Sequence, residues 1–248
     1  MLLALDLKIV YMRNLHFIFF YFLFFQSVLS QNTIEVIYKT SFNGDFVSKE
    51  NKENNHQKDF FNGIESKIST LHFLLLISES KSLFKSVPEM EKEGETTGEK
   101  MAKIVTGFEN IYYTDLKLKK IIIDELFTDK RDKIDLGFEN YKWEFLNDTK
   151  EINGYKCYLA KTKFAHLDVF AWYCPKLPYS FGPMDFSNLP GLVLELQKGN
   201  VVFLVEKIIF DSKNKIDFDI TKFKTITREE RDLYLKKQSE SFGIKYGN

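Results

Sequence analysis

The chain has 248 residues with 35 basic and 35 acidic side chains, so its formal net charge at pH 7 is zero. A neutral chain has no electrostatic attraction for nucleic acid or for an anionic membrane surface, and we expect neither as a partner. Its 25 Phe and 12 Tyr residues supply ample apolar area for a core, which excludes an intrinsically disordered composition.

The first thirty residues differ in character from the rest of the chain. Arg13 precedes an uncharged apolar run at 17–25, and Val28 and Ser30 stand three and one residues before a cut after Ser30. A basic start, a short apolar run and small or apolar residues before the cut are the three parts of a secretory signal peptide. The run is about half of the roughly 20 residues that a membrane-spanning helix needs, so we expect a cleaved signal rather than an anchor.

We therefore predict a signal peptide at 1–30 and one exported domain at 31–248, located in the periplasm or outside the cell. Removing the signal leaves 218 residues with 33 basic and 34 acidic side chains. This length fits a single sizeable domain. Membrane contact is expected only through the cleaved signal.

Alternation of apolar and polar residues dominates the exported part. Residues 33–42 alternate from Ile34 onward and predict a first strand, and the continuous apolar run 73–77 predicts a buried strand within 70–78. Residues 43–63 and 88–100 are polar and contain Gly or Pro, so we predict irregular connections there. Further strands are predicted near 80–87, 109–116, 119–128, 131–136, 140–147, 152–164, 167–174, 190–198 and 201–211.

Short strands at regular intervals, with polar turns and no amphipathic helices between them, are typical of an antiparallel sheet. Near the C-terminus, Thr227 and Glu230 have the spacing of a capping box, which predicts a short helix over about 228–240. The sequence therefore predicts a mainly antiparallel β fold in one domain with a short C-terminal helix.

The two cysteines, Cys157 and Cys174, lie in neighbouring predicted strands. A symmetric hairpin around 164–167 pairs residue 163 with 168, 160 with 171, and therefore 157 with 174. Opposed Cβ atoms lie about 4.5–5.5 Å apart and a disulfide needs roughly 3.5–4.5 Å, so a modest local twist permits a bond. An oxidising compartment favours it. We expect this disulfide, and the alternatives are two unpaired thiols or a catalytic cysteine.

The sequence contains no recognisable catalytic or metal-binding motif. His56, His72 and His166 lack the spacing of a zinc site, and no nucleophile elbow or phosphate-binding glycine loop occurs. We therefore predict no catalytic residue, metal ligand or cofactor, although residues scattered in sequence can still assemble an enzyme site.

The most distinctive stretch is 171–195, which holds four of the five prolines. Each proline fixes φ and removes a hydrogen-bond donor, so the segment must be rigid and mostly extended. Residues 181–183 and 189–191 look like tight turns, the second a type II turn. The segment is either an ordered crossover or a preformed surface for a ligand or partner. Its candidate surface residues are the aromatic ones, Trp172, Tyr179, Phe181 and Phe186.

The hexapeptide at 188–193 resembles the Gly-Leu-Pro-Gly-Leu-Ile sequence for which the GLPGLI family of exported proteins is named. The resemblance is strongest over about 140–210, where Trp143 and Gly182-Pro183 also agree with the family. Asn188 replaces the first Gly, a mild change because Asn adopts positive φ more readily than most residues. The motif residues are Gly182, Pro183, Asn188, Leu189, Pro190, Gly191, Leu192 and Val193.

The resemblance implies an exported protein without an established activity. By analogy of layout it also implies a single curved sheet like the half-barrel of periplasmic lipoprotein carriers. We therefore expect a non-catalytic envelope binding module for an apolar ligand or a partner protein, with the proline-rich loop bordering the concave side of the sheet. The alternatives are an envelope hydrolase with a site scattered in sequence and a structural envelope protein.

Overall fold

The computed structural model describes residues 33–43, 55–90, 94–127, 130–138, 141–165 and 167–241. All of them belong to the unit Thr33–Asn248. The predicted signal peptide and His166 lie outside the described residues, so cleavage after Ser30 stays a prediction. Within the described ranges, no helix is both long and apolar enough to cross a membrane.

Twelve β-strands make up most of the regular structure, and their bounds lie within a few residues of most predicted strands. The largest difference is at the seventh strand, which begins at Glu144 and continues to Ile152. In chain order the strands are β1 (Thr33–Phe42), β2 (His72–Ser78), β3 (Lys81–Ser86), β4 (Ile111–Asp115), β5 (Lys120–Phe127), β6 (Lys130–Asp135), β7 (Glu144–Ile152), β8 (Tyr155–Phe164), β9 (Leu167–Cys174), β10 (Leu192–Lys198), β11 (Val201–Ser212) and β12 (Ile226–Thr227).

All twelve strands form one sheet in the order β12-β6-β5-β4-β3-β2-β1-β11-β10-β9-β8-β7. Neighbours pair antiparallel, except for the short parallel pairing of β12 with β6. The predicted mainly antiparallel single sheet is confirmed. β1 pairs with β2 on one side and with β11 on the other, so it joins the strands from the two halves of the chain.

The sheet is curved, as expected. Phe84 of β3 and Phe203 of β11 are separated by two strands, which in a flat sheet would place them about 14 Å apart. Their ring centroids are only 6.1 Å apart. The Tyr38 hydroxyl of β1 donates a hydrogen bond across β11 to the Val193 carbonyl of β10, at 2.6 Å. Large side chains therefore converge on one face and form the core there.

In the described residues, three α-helices accompany the sheet, namely α1 (Asn55–Ile68), α2 (Thr97–Thr106) and α3 (Arg228–Ser241). The predicted C-terminal helix is confirmed, with its capping box: Thr227 Oγ1 accepts from the Glu230 amide at 3.1 Å, and Glu230 Oε2 accepts from the Thr227 amide at 2.7 Å. The other two helices correct the prediction of irregular connections at 43–63 and 88–100.

A second capping box starts α2 at Thr96 and Glu99, and Gly107 ends the helix in the left-handed conformation. The buried residues Gly98, Ala102 and Thr106 recur every four positions and so share one face. That face packs closely on α1, since a Cβ on Gly98 would lie 2.5 Å from the Phe60 carbonyl oxygen. Ile64 and Ile68 of α1 are buried in the core.

Candidate functional site

The proline-rich segment between β9 and β10 packs into the core. Every residue from 181 to 187 is buried. Phe181 and Phe186 retain only 2% and 1% of their exposed area. These two rings are therefore part of the core, which corrects the expectation that they face a ligand or partner.

The hexapeptide forms a turn and the start of β10. The Gly191 amide donates to the Leu189 carbonyl at 2.8 Å, which closes a three-residue turn around Pro190. The predicted type II turn is wrong. Its hydrogen bond would join the Leu192 amide to the Leu189 carbonyl, whereas the Leu192 amide donates to the Leu177 carbonyl at 2.9 Å. Gly191 has φ 150°, and a Cβ there would overlap the Cys174 carbonyl. Asn188 has φ 68°, the positive φ that the resemblance implied.

Gly182 and Pro183 prepare the second turn of this segment. A Cβ on Gly182 would lie 2.8 Å from the Phe186 carbonyl oxygen and from Val193, so only glycine fits. The Phe186 amide donates to the Pro183 carbonyl at 3.3 Å. Met184 inside this turn has φ 57°, which is uncommon for a residue with a side chain. The turn places the next residue, Asp185, in the interior.

Asp185 is a buried carboxylate that accepts a hydrogen bond from the Tyr141 hydroxyl at 2.6 Å. Burial raises the pKa of Asp185, while the Tyr141 bond and the nearby charges of Lys198 and Arg228 act to lower it. Burial, together with the charge of Asp185, raises the pKa of Tyr141 above its ordinary value. The phenol therefore stays protonated and remains the donor. Asp185 is not among the residues predicted from the sequence, where its only signal is one acid within an apolar stretch.

Residues 141–143 are held against the proline-rich segment and the end of β8. The Trp143 indole donates to the Ser187 carbonyl at 3.1 Å. The Thr162 hydroxyl donates to the Lys142 carbonyl at 3.1 Å. The Tyr141 ring stacks on Phe186, with centroids 4.7 Å apart. These contacts build a fixed wall from three distant parts of the sequence.

A cavity of about 660 Å³ lies beside this wall, within the size range of small-molecule sites. Four of its lining residues are basic and one is acidic, Glu144. Lys161 pairs with Asp168 at 3.0 Å. The cavity therefore favours a ligand with an anionic group. The basic residues are Lys142, Lys161, Lys163 and Arg228, the rings are Tyr141 and Phe164, and Thr162 and Ala165 complete the lining.

Lys198 lies behind the Phe164 ring, with its Nζ 4.9 Å from the ring centroid and 3.9 Å from Met184 Sδ. Burial lowers the pKa of Lys198, and the charge of Asp185 acts in the opposite direction. Lys198 and Asp185 therefore place two ionisable groups next to the cavity residues Phe164 and Tyr141.

Trp172 and Tyr179 do not line this cavity. Trp172 of β9 pairs with Leu159 of β8, whereas the cavity residues Lys161, Thr162 and Lys163 lie further along β8. Lys150 Nζ lies 4.4 Å from the Trp172 ring centroid and 2.6 Å from Glu195 Oε2. Tyr179 is half-buried and packs against the core. The structure therefore does not unite the four predicted aromatic residues in one surface.

The predicted hairpin register of β8 and β9 is confirmed, because Lys163 pairs with Asp168 and Ala160 with Ala171. The predicted disulfide is wrong: Cys157 and Cys174 are both buried free thiols. Cys157 Sγ instead donates to the Tyr155 carbonyl at 3.4 Å. Burial, with Cys174 nearby, raises the pKa of Cys157 to about 12, which makes it a poor nucleophile.

Metal binding finds no support in the described part of the chain, where no group of three or more His, Cys, Asp or Glu residues is placed to hold an ion. His72 begins β2, with its Nε2 3.6 Å from Glu206 Oε2. His166 and the side chain of His56 lie outside the described residues.

Residues 162–195 match the sequence model of a family described as a protein of unknown function, Porph_ging. This segment matches the GLPGLI family. The resemblance seen in the sequence is thereby confirmed over a short stretch. The match starts at Thr162 in the cavity wall, includes Phe164 and Asp185, and ends at Glu195 in β10.

Two solved structures of PNGF-II, in space groups P21 and C2, have a similar fold, with TM-scores of 0.53 and 0.51. Each is 16% identical in sequence and covers 83% of this chain. The chain spans 33% of the length of the PNGF-II chain. No curated protein matches the chain. At this identity the likeness shows the fold alone.

Proposed function

We propose that the protein is a non-catalytic binding module and that the cavity beside Tyr141 holds its ligand through an anionic group. The proposal rests on the charge of the cavity, whose described lining residues include four basic side chains and one acidic side chain. Tyr141 and Phe164 add ring faces for an apolar part of the ligand. The ligand is therefore expected to combine an apolar part with negative charge, which differs from the apolar ligand or partner protein expected from the sequence.

The position of Asp185 favours binding over hydrolysis. The Asp185 carboxylate accepts a hydrogen bond from the Tyr141 hydroxyl, and Asp185 is not among the residues that line the cavity. A general acid or base must come within about 3 Å of the substrate atom that it serves. Among the described residues, Glu144 alone supplies a carboxylate to the cavity, whereas hydrolysis by paired carboxylates needs two.

We also propose that the module works outside the cytoplasm after cleavage following Ser30. Arg13, the apolar run 17–25 and the small residue at the cut support this. N-terminal sequencing of the protein exported by cells that express it should begin at Gln31. A retained Met1 or Met12 start in the exported protein would contradict cleavage.

The binding proposal is tested with 8-anilinonaphthalene-1-sulfonate, a fluorescent probe that joins aromatic rings to a sulfonate. Lys142 and Lys163 are the exposed cations of the cavity, so reversing both removes attraction without burying a charge. We expect the double variant Lys142→Glu/Lys163→Glu to bind the probe about ten times more weakly than the unaltered protein, since each close surface charge contributes up to about 1 kcal/mol.

The matched control is Lys213→Glu/Lys215→Glu, which makes the same charge change at two exposed residues that lie outside the cavity lining. It should bind the probe as the unaltered protein does. Equal weakening in both double variants, or no binding by the unaltered protein, would overturn the proposed function.

A further inference from the structure

A second cavity, of about 460 Å³, adjoins the first. Arg228, the first residue of α3, lines both cavities, so the two meet at one residue. Leu136 and Phe138, from the irregular chain that follows β6, give the second cavity its apolar lining. Each cavity therefore combines ring or aliphatic side chains with charged ones.

Basic residues outnumber acidic ones in the first cavity, and acidic residues outnumber basic ones in the second. Counting the described lining residues beyond the shared Arg228, the first has three lysines and one acid, whereas the second has two acids, Asp135 and Glu229, and no lysine. Asp135 is engaged locally, at 3.2 Å from Lys120 Nζ and 3.0 Å from the Gly137 amide. Glu229 is exposed, and hydrogen bonds from its own amide and from Thr227 lower its pKa, so it is ionised at neutral pH.

A ligand that fills both cavities must be elongated and must carry a negative group at one end and a positive group at the other. Apolar groups near each charge would contact Tyr141 and Phe164 in the first cavity and Leu136 and Phe138 in the second. An extended peptide meets these requirements, because acidic, aromatic and basic side chains occur along one chain at a spacing of about 3.3 Å per residue.

We propose that the two cavities form one bipartite site for an extended peptide, which places an acidic side chain in the first cavity and a basic side chain in the second, on either side of Arg228. This rests on the proposed function of the first cavity and adds the class of partner. A peptide of six residues spans about 20 Å when extended, which sets the length of the probe.

The test compares two fluorescein-labelled peptides by fluorescence anisotropy. The bipolar peptide is Glu-Phe-Ser-Ser-Phe-Lys, and the monopolar peptide has Gln in place of Lys. We expect the unaltered protein to bind the bipolar peptide about ten times more tightly. Glu229→Lys should abolish that difference while leaving the affinity for the monopolar peptide unchanged, and it should prefer a third peptide that ends in Glu.

Asp217→Lys is the matched control, because Asp217 is exposed and lines neither cavity. It should keep the preference for the bipolar peptide. If the monopolar peptide binds and the terminal Lys makes no difference, the bipartite site is wrong, and the proposal that the first cavity binds an anionic group stands. If neither the peptides nor the sulfonate probe binds, the proposed function fails as well.

Discussion

The hydrogen bond from half-buried Tyr141 to buried Asp185 is expected to stabilise the cavity wall. Tyr141→Phe keeps the ring but removes the hydroxyl that donates to Asp185. A buried carboxylate left without this donor should lower the free energy of unfolding by about 1–3 kcal/mol. Tyr158→Phe is the control, because its hydroxyl has no hydrogen bond to the described residues, and it should change stability by less than about 0.5 kcal/mol. Denaturant titrations that gave equal losses would contradict the role of the pair.

Asp185 also predicts a dependence of stability on pH. Its pKa in the folded protein is raised by burial, so the folded state binds the proton more tightly than the unfolded chain does. The stability that Asp185 contributes is therefore greatest below its ordinary pKa of about 4 and falls as pH rises through the window up to the raised value. Asp185→Asn removes this titration.

The measurement is the free energy of unfolding of the unaltered protein and of the Asp185→Asn variant, each at a series of pH values from about 4 to 7. The free energy of unfolding of the unaltered protein, minus that of the Asp185→Asn variant, should decline as pH rises. A difference that grew with pH would mean that the environment of Asp185 favours its charged form.

The two buried thiols predict a simple labelling result. Without reductant, iodoacetamide should leave Cys157 and Cys174 unlabelled in the folded protein, since both are buried and the pKa of Cys157 is raised to about 12. In denaturant and still without reductant, both should be labelled, as mass spectrometry would show. Protection that persisted in denaturant until a reductant was added would show a disulfide.

At the scale of elements, the contact between α1 and α2 depends on glycine. Gly98→Ala would place a Cβ 2.5 Å from the Phe60 carbonyl oxygen and force the helices apart, which should cost about 1–3 kcal/mol of stability. Gly63→Ala is the matched control in α1, where the nearest atom to a new Cβ is Thr96 Oγ1 at 3.5 Å. That variant should be neutral or stabilising, because Ala is the better helix former by about 1 kcal/mol. Thermal melts that ranked the two variants the other way would contradict the close packing.

The same elements show what sequence patterns can predict. β1 and the register of β8 with β9 follow from alternation and turn symmetry, which are local. α1 and α2 were missed although local signals exist, namely the box at Thr96 and Glu99 and the apolar residues Phe60, Ile64 and Ile68 four apart. Their glycines suggested loops, whereas in the structure Gly98 marks a close contact between helices.

The cavity could not be predicted in the same way. Tyr141, Thr162, Asp185 and Arg228 come from separate elements, and the folded sheet alone brings them near one another. The burial of Phe186 likewise depends on Tyr141 and Trp143, which precede it by more than forty residues in the sequence. Single aromatic and acidic residues in a proline-rich stretch give no indication of which side will be covered.

At the scale of the whole molecule, β1 makes the sheet one cooperative unit. Strands from residues 72–135 lie on one side of it and strands from residues 144–212 on the other. Trp172 belongs to the second group, and Trp143 directly precedes its first strand. We expect tryptophan fluorescence and far-ultraviolet circular dichroism to give the same denaturation midpoint, as in two-state unfolding. Separated midpoints would show that the two groups of strands unfold independently.

The pairing of β1 with β11 also sets the order of events while the chain is being made. Thr40 lies opposite Phe203, so the first strand waits for its second neighbour until the ribosome has passed the greater part of the sequence. Pairings between such distant residues form slowly, because the long loop between them must close first. The sheet therefore cannot be completed until β11 has been made. The topology thus delays completion of the core until the greater part of the chain has left the ribosome.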